Sequence, residues 1–481
     1  MIRTTAQDVL PPVAPVRRLA APLTGIAETV ELTVLQFAAD AHTVAAFERA
    51  LDGLVRQAHR DRAALTTALS GAVGEPFYRT EEAQRVAVWH VVPATLLGRI
   101  PEYGLQPASV LRPRGHEECA QGGLDRVLAA RVREIGYALL SGRTLPFLLA
   151  TPTWDTGALD AAELVERLAE YQRSGVRPGA ADFGQALLRV RRDGPDTPAA
   201  AAAAARLGTA EGDRLAAWLG PDGAPGTPLR RTGGPGPRAH RSWARPGAAV
   251  PQVVFGSGAR PALLRDFPDA FHWLGRPHEG FTQCYHWHAG HPVRASVLPE
   301  DREAQAAWLL PSVTLAATVG AHGDAWMLPH LARLGGPAGP ALHAAVAAGL
   351  GAQHPEQRRP AVQALLVLAA RGELDAGLLG RELAAMAVLG TVKPNRLADA
   401  TRSAAGAGAY ATVWAVLAEA LPGLLPSVRT AGELLAVAAD CAEHCGARGP
   451  VPPEVAAVAA RRGSHRPAAE ARRLAAALTA S

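Results

Sequence analysis

The chain has 481 residues, 48% apolar and 19% charged, with 49 Lys plus Arg against 44 acids and a formal net charge of +5. At roughly 150 residues per domain, that is enough for two to four domains or one extended array, and it excludes collagen, a disulfide miniprotein and a mostly disordered chain. Lys393 is the single lysine, so Arg carries the basic charge, and a bias this mild is too diffuse to specify a nucleic-acid partner.

The N-terminus, MIRTTAQDVLPPVAPVRRLAAP, has basic residues but no continuous apolar core of the kind a secretory signal needs. No apolar run approaches the roughly 18–20 residues that span a bilayer. Cys119, Cys284, Cys441 and Cys445 are too few for a disulfide framework. The expectation is a soluble, reduced, cytoplasmic protein.

Helical patterns then dominate. Residues 26–39, 42–59 and 61–72 place apolar side chains at i, i+3, i+4, for example Val44, Phe47, Leu51 and Leu54. Residues 81–99 and 124–140 repeat the pattern. The runs 145–150 (LPFLLA) and 251–255 (PQVVF) are strand-like. Thr197-Pro198 opens the seven alanines Ala199–Ala205, a helix start followed by the strongest helix former. Such a helix buries a shallow face, so close packing on a neighbour is its expected purpose.

Residues 221–249 hold six Gly, six Pro and five Arg (Arg230, Arg231, Arg238, Arg241, Arg245). This composition buries too little apolar surface to offset its ordering entropy, which predicts a disordered basic linker open to trypsin between Arg230 and Arg245. A basic arm on nucleic acid is the lesser reading, since only Trp243 and His240 offer stacking surfaces.

An internal repeat flanks the linker. GALDAAELVERLAEYQRSGVRP at 157–178 aligns with GELDAGLLGRELAAMAVLGTVKP at 372–394. Gly157 meets Gly372, Asp160 meets Asp375, Leu164 meets Leu379, Leu168 meets Leu383 and Gly175 meets Gly390. Asp caps a helix, leucines pack, Gly ends the helix and Pro restarts the chain. Chance convergence of capped helices in an Ala/Leu-rich background is the alternative. Residues 354–371, HPEQRRPAVQALLVLAAR, resemble the second helix of a HEAT repeat. A unit of that kind buries its apolar face only by stacking on neighbours.

Motifs for catalysis are not assembled. The lone Lys393 sits outside any glycine loop, which excludes a P-loop and a lysine Schiff base. Gly256-Ser257-Gly258 lacks the upstream glycine of a nucleophile elbow, and Gly406-Ala407-Gly408 follows no buried strand. Cys284, His286, His288 and His291 could bind zinc, but their spacing of one, one and two residues departs from paired structural motifs, so packed histidines are the expectation. Cys441, His444 and Cys445 share one helix face without a fourth ligand in reach, which reads as buried thiols on an Ala-rich helix. His116-Glu117-Glu118-Cys119 and the neighbours Glu81-Glu82 read as polar surface. No catalytic, cofactor or metal residue is assigned.

The stretch 146–191, beginning PFLLATPTWDTGALD, resembles a block from an uncharacterised family of bacterial HEAT-like helical proteins. Residues 308–329, WLLPSVTLAATVGAHGDAWMLP, do so less specifically, and the likeness extends over about 120–475. Some members of that family are encoded near SWIM zinc-finger proteins. The resemblance implies an interaction scaffold and carries over no catalytic residue.

The expected architecture is therefore all-α: a HEAT-like α-solenoid in two lobes, 1–220 and 250–481, joined by the disordered linker 221–249. Second helices of the repeats, including Arg358 and Arg359, should build its concave surface. The expected function is a non-enzymatic cytoplasmic scaffold for another protein. The alternatives are a metal-binding module or metal-dependent enzyme at 284–291 and an Arg-mediated nucleic-acid binder.

Overall fold

The structure is a computed structural model and describes residues 7–38, 43–73, 90–100, 105, 122–221, 223, 229–235, 251–257, 266–275, 291–320, 324–426, 431–463 and 465–480. Nineteen α-helices dominate these residues, beside one two-stranded ladder.

Eight helices precede the ladder: α1 Ile26–Ala38, α2 Val44–Ala72, α3 Val91–Leu96, α4 Gly122–Leu140, α5 Ala161–Ser174, α6 Ala180–Arg189, α7 Thr197–Arg206 and α8 Ala210–Leu219. Thr43 caps α2 by accepting the Ala46 N–H. Asp61 interrupts it with φ −155° and ψ 88°, then recaps the second half through the Ala64 N–H. The two helices read from the sequence are thus one element with a kink. The polyalanine α7 buries Thr197, Ala200 and Ala204 against α8, and a Cβ on Gly212 would lie 2.5 Å from the Ala204 carbonyl oxygen. Close approach is what the small side chains permit. Of the expected helix 81–99, residues 81–89 lie outside the described residues.

Strand β1 Leu229–Pro235 pairs antiparallel with β2 Pro251–Ser257, Leu229 opposite Ser257. The expected disordered linker is therefore corrected over 229–235. Alternate backbone groups of this segment pair with β2, and β2 is anchored because Val253 and Phe255 are buried. Residues 236–249 of that linker lie outside the described residues.

Beyond the ladder come α9 His291–Ala295, α10 Arg302–Thr318, α11 Leu328–Leu331, α12 Pro340–Leu350, α13 Pro355–Ala370, α14 Ala376–Val388, α15 Pro394–Gly406, α16 Tyr410–Leu424, α17 Gly432–His444, α18 Pro453–Ala459 and α19 Arg466–Thr479. From α10 onward, helices pack on the next but one. One row runs α10, α12, α14, α16, α18, and the other runs α11, α13, α15, α17, α19. Proline at the first turn starts six of these, α11, α12, α13, α15, α18 and α19, where its missing N–H costs nothing. Both copies of the internal repeat keep their glycines at positive φ: Gly157 (96°) with Gly372 (68°), and Gly175 (65°) with Gly390 (78°). Asp375 caps α14 through the Leu378 N–H, whereas Asp160 accepts from Trp154 Nε1 and Arg18 instead.

Buried apolar residues form two clusters. The first holds Leu54, Leu128, Leu164 and Leu187 from the early helices, together with Phe267, Phe271, Val293 and Val297 from beyond the ladder. The second runs from Val253 to Leu478. Helix α10 serves both: Ala304 and Trp308 face the first, and Leu309, Leu310 and Val313 face the second. The boundary expected at 250 therefore does not separate the cores. Trypsin cleavage between Arg238 and Arg245 should give fragments that co-elute in native gel filtration and part only in denaturant. Two fragments that separate without denaturant would contradict the shared core.

Residues 8–23 run extended across the surface from the late helices to α2. Asp8 accepts the N–H groups of Ala411 (2.6 Å) and Thr412 (2.9 Å), and the Val9 N–H donates to Gly408 (3.1 Å). Further on, the Leu19 N–H donates to Thr153, and Asp155 bonds both backbone groups of Arg17. Leu23 is then buried beside Gly53.

Candidate functional site

A charged cage lies inside the first cluster. Glu48 of α2, Arg131 of α4 and Arg189 of α6 have fully buried side chains, and Asp182 of α6 is nearly so. Arg131 donates to Glu48 at 2.9 Å and to Asp182 at 2.8 Å, and Arg189 donates to Glu48 at 2.7 Å. Burial pushes the Glu48 carboxyl up, but the two guanidinium groups outweigh it and hold the carboxyl below its ordinary range. The same logic raises Arg131, where Glu48 and Asp182 overcome desolvation. Two acids and two bases balance, which is the condition for carrying such charge in a core.

The cage holds one segment of chain. The N–H of Leu148 donates to Asp52 and that of Leu149 to Asp182, while the Ala150 carbonyl accepts from Arg189 and the Leu149 carbonyl from Arg167. Tyr171 donates its hydroxyl to the Phe147 carbonyl. This is why 145–150, expected as a strand, is irregular: its backbone partners are side chains from the three helices α2, α5 and α6 rather than a second strand. Arg189 also donates to the Ser296 carbonyl at 2.9 Å, which fastens the loop before α10 to the same cage.

An open cleft of about 530 Å³ lies between α15, α17 and α19, lined by Arg402, Tyr410, Asp440, Cys441, His444 and Arg473 among others. Tyr410 and His444 stack with ring centroids 3.6 Å apart. Arg473 bridges Asp440 and Glu443, and Glu433 joins Arg402 to Arg466. Burial, then Cys445, Asp440 and Asp8, push the Cys441 thiol up to about 12, so it is neutral and a poor nucleophile. Cys441 and Cys445 are both buried, as the sequence reading of this helix anticipates. Arg358 is half-buried and donates to the carbonyls of Ala352 and Gln353, while Arg359 is exposed.

Cys284, His286 and His288, like Cys119, His116 and Glu81-Glu82, lie outside the described residues. His291 opens the one-turn α9. Among the described residues, no group of three or more His, Cys, Asp or Glu is placed to hold a metal, and no helix is long and apolar enough to cross a membrane.

The cage residues escaped sequence reasoning, because each sits in an amphipathic helix where a charge reads as solvent-facing. So did Glu300, at the seam between the clusters. Burial and then Asp193 push its carboxyl up to about 7, against Arg191 and Arg302. A raised carboxyl penalises the folded state above pH 7, and the penalty is relieved as pH falls from about 7 toward the unfolded value near 4.3. Glu300→Gln should therefore raise the thermal midpoint at pH 8 and leave it nearly unchanged at pH 5; equal shifts at both would contradict the assignment.

No curated protein and no solved structure matches the chain. Residues 40–244, the stretch that carries the whole charged cage, match a family described as a domain of unknown function (DUF7824).

Proposed function

We propose that the protein is a non-enzymatic cytoplasmic scaffold, a HEAT-like solenoid in its second half that binds another protein along the row α13, α15, α17, α19. The observation that supports this is the two-row stacking of helical hairpins. The row presents exposed Arg359, Arg402 and Arg466 beside Glu433 and Asp440, so a partner meets alternating charge on a preorganised backbone. Polar surfaces of this kind set specificity and association rate more than raw affinity.

Site-specific photo-cross-linking at Arg359 and Arg402 in native lysate tests the reading. The expected result is one partner captured at both positions, with capture at position 402 lost in the R359E/R466E variant. Capture no greater than from a probe on exposed Arg62 of α2, across several salt concentrations, would overturn it. Nuclease treatment and elemental analysis of the captured material separate this reading from Arg-mediated nucleic-acid binding and from metal at Cys284, His286, His288 and His291.

A further inference from the structure

Residues 8–10 lie on the turn between α15 and α16 in the manner of a bound peptide. Asp8 sets its carboxylate on two N–H groups at the start of the 15-residue α16, where the helix dipole favours an anion. The Val9 N–H donates to the Gly408 carbonyl, and Leu10 packs against the second cluster. Gly408 is matched to the segment, since a Cβ there would lie 2.0 Å from the Val9 carbonyl oxygen. Yet the segment contributes little to the core: Val9 is 83% exposed, and residues 11–16, PPVAPV, are exposed or half-buried. A contact with few buried apolar groups belongs to the part of a fold that opens at the least cost. The large cleft adjoins it, because Gly406, Tyr410 and Cys441 line that cleft and Asp8 acts on the Cys441 thiol.

We infer that residues Gly408–Thr412 form a docking site for an extended peptide bearing a carboxylate and, two residues on, an aliphatic side chain, occupied in cis by Asp8-Val9-Leu10. A partner carrying the same acidic–aliphatic pattern displaces the chain's own segment. This deepens the protein-binding reading by naming a partner chemistry. It concerns a different surface from exposed Arg359, so its failure leaves the cross-linking result at Arg359 standing.

The test uses a fluorescent peptide spanning residues 6–16, AQDVLPPVAPV, and a chain lacking residues 1–12, with circular dichroism to establish that the truncated chain is folded. The expected result is saturable binding to the truncated chain, at least about tenfold weaker binding to the full chain, whose own segment competes, and loss of binding when the peptide carries D8N. If truncation unfolds the protein, the full-length Asp8→Asn chain takes its place and should bind the unmodified peptide more tightly than the parent chain does. Sedimentation of the parent chain distinguishes the remaining occupant: concentration-dependent dimers lost in Asp8→Asn would assign the site to a second copy and overturn cis occupancy. Absence of peptide binding to the folded truncated chain, or equal binding of the D8N peptide, overturns the docking site.

Discussion

Glu48→Ala should cost about 3–5 kcal/mol of folding stability, the range for removing one member of a buried ionic group and stranding the others. Arg131 and Arg189 would then face each other in the core with Asp182 as their one remaining carboxylate, itself already shared with the N–H of Leu149. Glu48→Gln keeps the shape and one of the two acceptor oxygens but loses the charge, so its cost should be smaller than that of the alanine variant. Urea unfolding followed by circular dichroism measures both, and a loss below about 1 kcal/mol for the alanine variant would show that Arg131 and Arg189 are not stranded without Glu48. The pH dependence has a definite sign. The folded Glu48 carboxyl sits below its unfolded value, so its stabilisation is fully present above the ordinary carboxylate range and is lost as pH falls through the folded value. Part of the acid sensitivity of the parent protein should therefore vanish in Glu48→Gln.

The second large effect distinguishes two glycines that the internal repeat makes equivalent. Gly372→Ala should cost about 1–2 kcal/mol, the penalty of positive φ alone, because a Cβ there meets nothing within 4 Å. Gly157→Ala should cost at least about 2 kcal/mol more. Its Cβ would lie 2.4 Å from the Ser296 Cβ and 2.8 Å from the Ser296 Cα, so two backbones must part. Ser296 is also the residue to which Arg189 donates, and the clash would reach the cage. Equal losses in the two variants would mean that the early helices do not press on the segment before α10.

What the sequence made legible is local. The break between 42–59 and 61–72, the capping Asp375, the paired glycines of the repeat and the prolines at helix starts all act through their own backbone, within a few residues. The closeness of α7 to α8 was readable for the same reason, since seven alanines leave no room for a deep interface. The misread elements depend on remote partners. Residues 145–150 look like a strand by apolarity, but the carboxylates that satisfy Leu148 and Leu149 come from Asp52 and Asp182, 96 and 33 residues away. Residues 229–235 look unable to order, and they pair because Val253 and Phe255 hold the opposite strand in the second cluster. The cage is the extreme case: four charged residues from three helices, each with an ordinary amphipathic neighbourhood, become a site only when the helices assemble.

A helix whose two faces are committed to different cores has no freedom of phase. In Arg302–Thr318, Ala304 and Trp308 belong to one cluster and Leu309, Leu310 and Val313 to the other. Inserting one residue rotates everything after it by about 100°, the angle per residue of an α-helix. The side chains downstream of the insertion would then leave their core while those upstream kept theirs. Insertions and deletions should thus be excluded from this helix as the sequence diverges, and length variation should collect in the chain between the two strands at 236–250. In that sense 302–318 sets the rotational register from which the helices on either side are laid down.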